Sequence, residues 1–380
     1  MDINKREISL NQLMTLMILF LIGGSSLSST ARYAGQNVWI VLLVAGSIGA
    51  LFFTLYYRIS KLHNYAGLPT ILTNTLGGIL GKILILVYAG FFMFRMISTG
   101  NYMTALAQET LMMGANQRTV IVMLLSTIII SSLYGLNVIG RSSEIFLVIV
   151  LLCMLPFLLS VFTSDIFNSE NLIPILAEGV PGITKDIVRT SFFPYGELIV
   201  FLMVFPYVKQ QTSNAALKRG FIAIAVATLL MIAISLTTVA LIGATLTTNF
   251  EYPFYNAMQL AGISGFLERL DPLAIVIKVT SEYFKLVLYF VVTLLCVQSL
   301  CKKFNFKIVL AIISVLTFFI APLVKVHEVG FMMDVMPFKV LPIFELAIPV
   351  LIWIISEIRF RKNLPAVKNK HLTQTNPGPI

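Results

Sequence analysis

Two hydrophobic stretches of this chain are interrupted by residues that break helices, one near the N-terminus and one near the middle. The first stretch, residues 10–30, contains Gly23-Gly24-Ser25-Ser26, and the second, residues 187–208, contains Phe193-Pro194-Tyr195-Gly196-Glu197. Inside a bilayer, a broken helix is tolerated only where protein or a water-filled cavity satisfies the freed backbone groups. Two interrupted spans at corresponding places in the two halves of a chain therefore indicate a binding site near the bilayer midplane.

The composition is that of an integral membrane protein. Hydrophobic residues make up 58% of the 380 residues and charged residues only 12%, whereas a soluble domain has about 25% charged residues. The net charge of +10 is scattered over short loops, so nucleic acid is not a predicted partner. We also predict no metal or cofactor, because the three histidines are far apart and the three cysteines form no C-x-x-C pair.

The hydrophobic segments predict ten transmembrane helices, since about 20 apolar residues are needed to cross the hydrocarbon. Their expected ranges are 10–30, 38–57, 83–106, 119–136, 144–163, 187–208, 220–242, 273–299, 307–324 and 339–357. Lys and Arg are concentrated in alternate loops, which predicts that both termini are cytoplasmic. We expect residues 1–363 to form one transmembrane domain and residues 364–380 to form a basic, disordered cytoplasmic tail.

The predicted spans divide into two sets of five, and the first span of each set carries the break. Because five is odd, the two halves would lie in opposite orientations in the membrane, as in transporters with inverted repeats. The expected fold class is an all-α membrane protein with a 5+5 inverted repeat and with broken helices one and six. The halves show no visible sequence similarity, so this expectation depends on span number and break position.

Several short motifs follow one another in a set order on this ten-span frame. They are Gly23–Ser26 in span one, Asn171-x-x-Pro174 and Glu178-Gly179 before span six, Pro194–Glu197 within it, and Glu268–Asp271 at the start of span eight. The ordered set resembles the B subunit of the spore nutrient germinant receptors, in the spore permease branch of the amino acid–polyamine–organocation superfamily.

The resemblance implies a fold like that of the amino-acid permeases, with the LeuT arrangement of broken helices. It implies that a small nutrient germinant, often an amino acid, binds at the breaks. It also implies an A-type membrane subunit and a C-type lipoprotein subunit as partners, and the inner membrane of a spore as the location.

The candidate ligand-binding residues surround the two breaks. The N–H groups at the start of a half-helix carry partial positive charge, so an unwound span one could bind a carboxylate closely at its glycines. Glu197 could contact a ligand amine, and an aromatic residue of span six could cover the ligand. The alternative for the small residues is tight helix packing. The full predicted set is Gly23, Gly24, Ser25, Ser26, Thr99, Tyr102, Phe193, Tyr195, Gly196, Glu197 and Ser281.

Ionisable residues inside the predicted spans form a second set. A charged side chain near the bilayer centre costs about 2.5–3.5 kcal/mol on insertion scales, so it faces protein or water. Lys278, Glu282 and Lys285 share one face of span eight, and Arg95 in span three needs a partner. We predict an intramembrane charge network of these four residues with Glu197, in which Glu197 or Glu282 pairs with Arg95. Contact with a ligand, a polar path and a purely structural role all remain open for it.

Three functions require the same cavity: a nutrient-sensing receptor subunit, a secondary amino-acid transporter and a ligand-gated polar conduit. We predict no specific coupling ion, because span five has no lysine that could replace a bound sodium ion. The resemblance favours the receptor subunit. Enzyme activity is not predicted, since the sequence has no phosphate loop, HExxH or G-x-S-x-G motif. Glu345 in span ten has no obvious partner, and no role follows for it from the sequence.

Overall fold

The computed structural model describes residues 7–25, 32–177, 179–209, 214–261, 269–324 and 331–360. These residues form helices and no β-strand beyond a single bridge between Ile8 and Val208. The α-helices are α1 (Leu10–Ser25), α2 (Val38–Leu62), α3 (Leu68–Leu76), α4 (Gly78–Thr110), α5 (Gln117–Tyr134), α6 (Leu136–Thr163), α7 (Gly179–Thr190), α8 (Ala215–Asn249), α9 (Pro253–Leu260), α10 (Asp271–Leu300), α11 (Phe306–Ile320) and α12 (Ile348–Phe360). Ser26, Glu178, Glu268 and the predicted tail lie outside the described residues.

Eight helical stretches in the described part of the chain are long and apolar enough to cross a membrane. They are Tyr33–Leu62, Gly78–Thr110, Gln117–Tyr134, Leu136–Phe162, Ala215–Asn249, Asp271–Leu300, Phe306–Leu323 and Val335–Arg359. Each overlaps one predicted span, so the chain is an all-α membrane protein. The two predicted spans that have no such stretch are the first and the sixth, where the sequence predicts the breaks. The total of ten spans and the inverted repeat remain predictions.

The sixth predicted span is broken at Phe193. A π-helical turn, Ser191–Tyr195, follows α7, and two 3₁₀ segments, Gly196–Met203 and Phe205–Tyr207, continue the chain. Phe193 has extended backbone angles, with φ −124° and ψ 108°. Pro194 lacks the N–H that would continue a helix, and a residue that precedes proline is disfavoured in the α conformation. The break predicted here is therefore present. We call residues 191–203 the broken segment.

The first predicted span differs from the expectation at its glycines. The described part of α1 has 16 residues and includes Gly23 and Gly24 as regular helix up to Ser25. The predicted unwinding is therefore absent from these two glycines. A Cβ atom on Gly23 would lie 2.6 Å from the carbonyl oxygen of Ser281 in α10. The missing side chain allows two helices to approach closely, which is the packing role that small residues commonly have in membranes.

Helix α1 lies at the centre of the bundle. It contacts α6, α8, α10 and the broken segment. Every residue from Leu16 to Ile22 is at most 2% exposed, as expected for a helix that is hydrophobic on all sides. Helix α10 also packs along α4. The end of α1 and the interior parts of α4 and α10 therefore enclose the region in which the predicted site residues lie.

Candidate functional site

The predicted ionisable residues meet around Glu197 in the broken segment. Arg95 of α4 donates from Nε to Glu197 Oε1 at 2.9 Å, and Lys285 of α10 donates from Nζ to Glu197 Oε2. All three side chains are buried. An isolated buried charge is very costly, so burial requires charged or hydrogen-bonding partners. Glu197 is one of the two partners predicted for Arg95, the other being Glu282, and it joins α4, α10 and the broken segment. We call these three residues the Glu197 triad.

Phe193 covers the two cations of the triad. Its ring centroid lies 4.9 Å from the guanidinium carbon of Arg95 and 4.5 Å from Nζ of Lys285. Cation–π contacts of this kind contribute about 2 kcal/mol when the cation is desolvated. The extended backbone at Phe193 thus places an aromatic face against both positive charges. This is the position predicted for an aromatic wall, and its role toward a ligand remains a prediction.

Lys278 and Glu282 form a separate buried pair on the same face of α10. Lys278 Nζ lies 2.6 Å from Glu282 Oε1 and donates to the carbonyl oxygen of Gly23 at 3.1 Å. The same Nζ lies 5.0 Å from the ring centroid of Tyr102. The five predicted network residues are therefore arranged as two groups, and this pair attaches the end of α1 to α10.

Gly24 brings the two interrupted spans together. A Cβ atom on Gly24 would lie 2.2 Å from Lys285 Nζ and 3.4 Å from the ring of Phe193. The end of α1 therefore touches both the broken segment and the Glu197 triad. The predicted contact between the two interrupted spans is present, although the glycines that make it are helical. Ser25 is the last helical residue of α1.

Thr99 and Tyr102 follow Arg95 on the same face of α4. Thr99 is buried, and the ring centroid of Tyr102 lies 5.4 Å from that of Tyr252, just before α9. These two residues extend the site from the triad toward the loop that precedes α9.

Two predicted ligand residues make their polar contacts elsewhere. The hydroxyl of Tyr195 lies 2.6 Å from Oγ1 of Thr228 in α8, so it points away from the triad. The hydroxyl of Ser281 donates to the carbonyl oxygen of Ile277 at 2.7 Å. Both side chains are fully buried. In this conformation, Tyr195 makes a contact between two elements and Ser281 makes a contact within α10.

Glu345 lies against the broken segment, which the sequence did not predict. It belongs to a π-helical segment, Ile343–Ala347, that precedes α12. A Cβ atom on Gly196 would lie 2.1 Å from Glu345 Oε2. The hydroxyl of Tyr56 lies 3.0 Å from the carbonyl oxygen of Gly196 and 2.6 Å from that of Glu345. The sequence gives one indication of a role for Glu345, which is that it is an acidic residue inside an apolar span. Helical spacing could not identify its contact with Gly196, because the two residues are far apart in the sequence.

A second polar region lies where α7 meets the start of α2 and the end of α8. A cavity of about 260 Å³ there is lined by residues that include Gln36, Asn37 and Thr245. Nearby, Asp186 and Arg189 form an ion pair on α7. Burial raises the pKa of the Asp186 carboxyl, and the positive charge of Arg189 offsets this only in part. This cavity is separate from the residues predicted to bind the nutrient.

An ion pair lies at the start of α10. Arg269 donates from Nε and NH2 to the two carboxylate oxygens of Asp271, at 3.0 and 2.8 Å. Asp271 is the first residue of α10, where a negative charge is favourable because of the helix dipole.

Comparison with known proteins assigns this chain to a family. The model of the spore permease family, described as spore germination protein, matches residues 7–329. Spore germination protein KB from Bacillus subtilis strain 168 is 25% identical over 309 residues, which cover 79% of this chain and 80% of that protein. Spore germination protein A2 from the same organism is 25% identical over 269 residues, which cover 68% and 70% of the two chains. The family match includes both interrupted spans and the Glu197 triad, and the chain belongs to the spore permease family of spore germination proteins.

Proposed function

We propose that this protein is a membrane subunit of a spore nutrient germinant receptor and that it binds a small nutrient between α1 and the broken segment. The observation that carries the proposal is the contact of Gly24 with Lys285 and Phe193. Two buried cations and one carboxylate at this contact leave a net positive charge, which suits the carboxylate of an amino acid. Glu197 supplies an acceptor for an amino group, and Phe193 supplies an apolar face.

Binding at this position would act on the ion pairs that hold three elements together. A ligand carboxylate would compete with Glu197 for Lys285 and Arg95, and so would change how α4, α10 and the broken segment are joined. A ligand shifts a conformational equilibrium only through different affinities for the two states. The exchange of ion-pair partners provides that difference. An A-type membrane subunit and a C-type lipoprotein in the spore inner membrane would respond to the change, with both termini of this subunit in the cytoplasm.

A thermal-shift screen of the full chain tests whether a nutrient binds. The screen uses amino acids, nucleosides and sugars, because a ligand that binds only the folded state stabilises it, by about 2.7 kcal/mol at a concentration 100 times Kd. We expect an amino acid to raise the melting temperature. Concentrative uptake of that amino acid by the purified protein in liposomes, without partner subunits, would instead support a transporter.

Gly24→Leu tests the position of the site. The new side chain would occupy the space next to Lys285 Nζ and Phe193, so we expect the ligand-induced shift and the nutrient response of spores to be lost. Gly90→Leu is the matched control, because Gly90 is an exposed glycine of α4 with open space around it. An unchanged dose–response curve for Gly24→Leu at normal abundance would show that the nutrient binds elsewhere.

A further inference from the structure

Glu345 is a fully buried carboxyl group with no hydrogen-bond partner for either oxygen among the described residues. Its exposed fraction is 0%, and within the described part of the chain neither Oε1 nor Oε2 accepts a hydrogen bond. Moving an ionised carboxylate from water into such a site is far more costly than moving the neutral acid. Burial without donors therefore favours the form of Glu345 that carries a proton.

The nearest cations are already engaged by another acid. Lys285 donates to Oε2 of Glu197, and Arg95 donates to Oε1 of Glu197 and, from NH1, to the sulfur of Met336 at 3.4 Å. Glu197 is adjacent in sequence to Gly196, on which the carboxyl of Glu345 packs. An ionised Glu345 would thus lie near a second negative charge while the neighbouring positive charges are paired with that charge.

We propose that Glu345 is a proton-binding site and that its proton determines the net charge of the cluster at the broken segment. With the proton bound, the Glu197 triad and Glu345 together carry one net positive charge. Loss of the proton brings this sum to zero and places a negative charge against Gly196. The protonation state of Glu345 therefore acts on the backbone of the broken segment and on the charge available to an anionic ligand.

The charged and titratable groups that interact with Glu345 come from four elements of the described structure. The titratable and charged neighbours are Tyr56 of α2, Tyr88 and Arg95 of α4, Glu197 of the broken segment, and Lys285 and Tyr289 of α10. Tyr88 donates its hydroxyl to the carbonyl oxygen of Phe344 at 2.8 Å, and Tyr56 approaches the carbonyl oxygen of Glu345 itself. The two hydroxyls therefore bond to backbone carbonyl oxygens, and no donor among the described side chains reaches the carboxyl oxygens of Glu345.

Infrared difference spectroscopy of the full chain in lipid vesicles tests this assignment, with protons as the only ligand. We expect an absorption band of a protonated carboxyl group near neutral pH, and we expect Glu345→Gln to remove it. Glu357→Gln is the matched control, because Glu357 lies on the following helix and is ion-paired with Arg58 at 2.5 Å. That control should leave the band unchanged.

A pH titration gives a second, independent result. As the pH rises, the melting temperature of the native protein should begin to fall where a glutamate of the unfolded chain loses its proton, and should level off where the band disappears. The melting temperature of Glu345→Gln should change less over this range. If Glu345→Gln fails to accumulate, Glu345→Asp retains a carboxyl group and should shift the band. A band that neither variant alters, or no such band in the native protein, would show that Glu345 is ionised and would overturn the proposal. The test needs no nutrient, so its outcome is separate from that of the proposed function.

Discussion

Two clusters of charged side chains lie on one face of α10, and the contacts that form them differ. Lys278 and Glu282 are one helical turn apart and pair within α10, as residues at i and i+4 commonly do. Lys285 is on the same face, but its partner Glu197 belongs to the broken segment and is shared with Arg95 of α4. The first pair depends on local spacing, whereas the triad exists only because three distant parts of the chain meet. A change in the triad therefore acts on three elements at once, whereas a change in the pair acts on α10 and on its contact with the end of α1.

The largest effect of a single substitution is expected at Glu197. Glu197→Gln leaves Arg95 and Lys285 buried without a counter-charge, and breaking a buried ion pair in this way costs about 3–5 kcal/mol. We expect a strongly lowered melting temperature in detergent or a low abundance in the membrane. A melting temperature within a degree or two of the native value would show that the triad does not hold the three elements together.

A smaller effect is expected at Glu282. In Glu282→Gln, Lys278 still donates to the carbonyl oxygen of Gly23, and the new amide can accept a hydrogen bond from it. Only one buried cation loses its counter-charge here, so we expect a loss of about 3 kcal/mol, at the lower end of the range for a broken buried pair. The drop in melting temperature should be smaller than for Glu197→Gln. The comparison between the two groups would fail if Glu282→Gln were the more damaging of the two.

The smallest effect is expected at Tyr195. It lies in the broken segment, two residues from Glu197, but its hydroxyl contacts Thr228 of α8. Tyr195→Phe removes one hydrogen bond, with an expected cost of about 0.5–1.5 kcal/mol. The nutrient concentration that gives a half-maximal response should stay the same, as measured in spores that carry the variant. A large change in that concentration would show that the hydroxyl of Tyr195 contacts the ligand, as the sequence predicts.

Part of the candidate site was predictable because it depends only on residues close together in the sequence. Pro194 predicts the break at Phe193, and the apolar surroundings of Arg95 and Glu197 predict that each must have a partner. The position of Glu345 was not predictable, because its contact with Gly196 joins residues far apart in sequence. The backbone conformation of Gly23 and Gly24 was also not predictable, since glycine is compatible both with an unwound helix and with close helix packing.

By itself, the sequence determined that the chain is a helical membrane protein, where its apolar helices lie, and that the sixth predicted span is interrupted. These properties depend on the cost of exposing backbone polar groups to lipid and on the geometry of proline, and both act over a few residues. The tertiary structure alone decided that Glu197 is shared by Arg95 and Lys285, that Tyr195 faces α8, and that Glu345 lies against Gly196 with no donor among the described residues. Such contacts depend on how helices distant in the sequence pack, and periodicity within one helix carries no information about that.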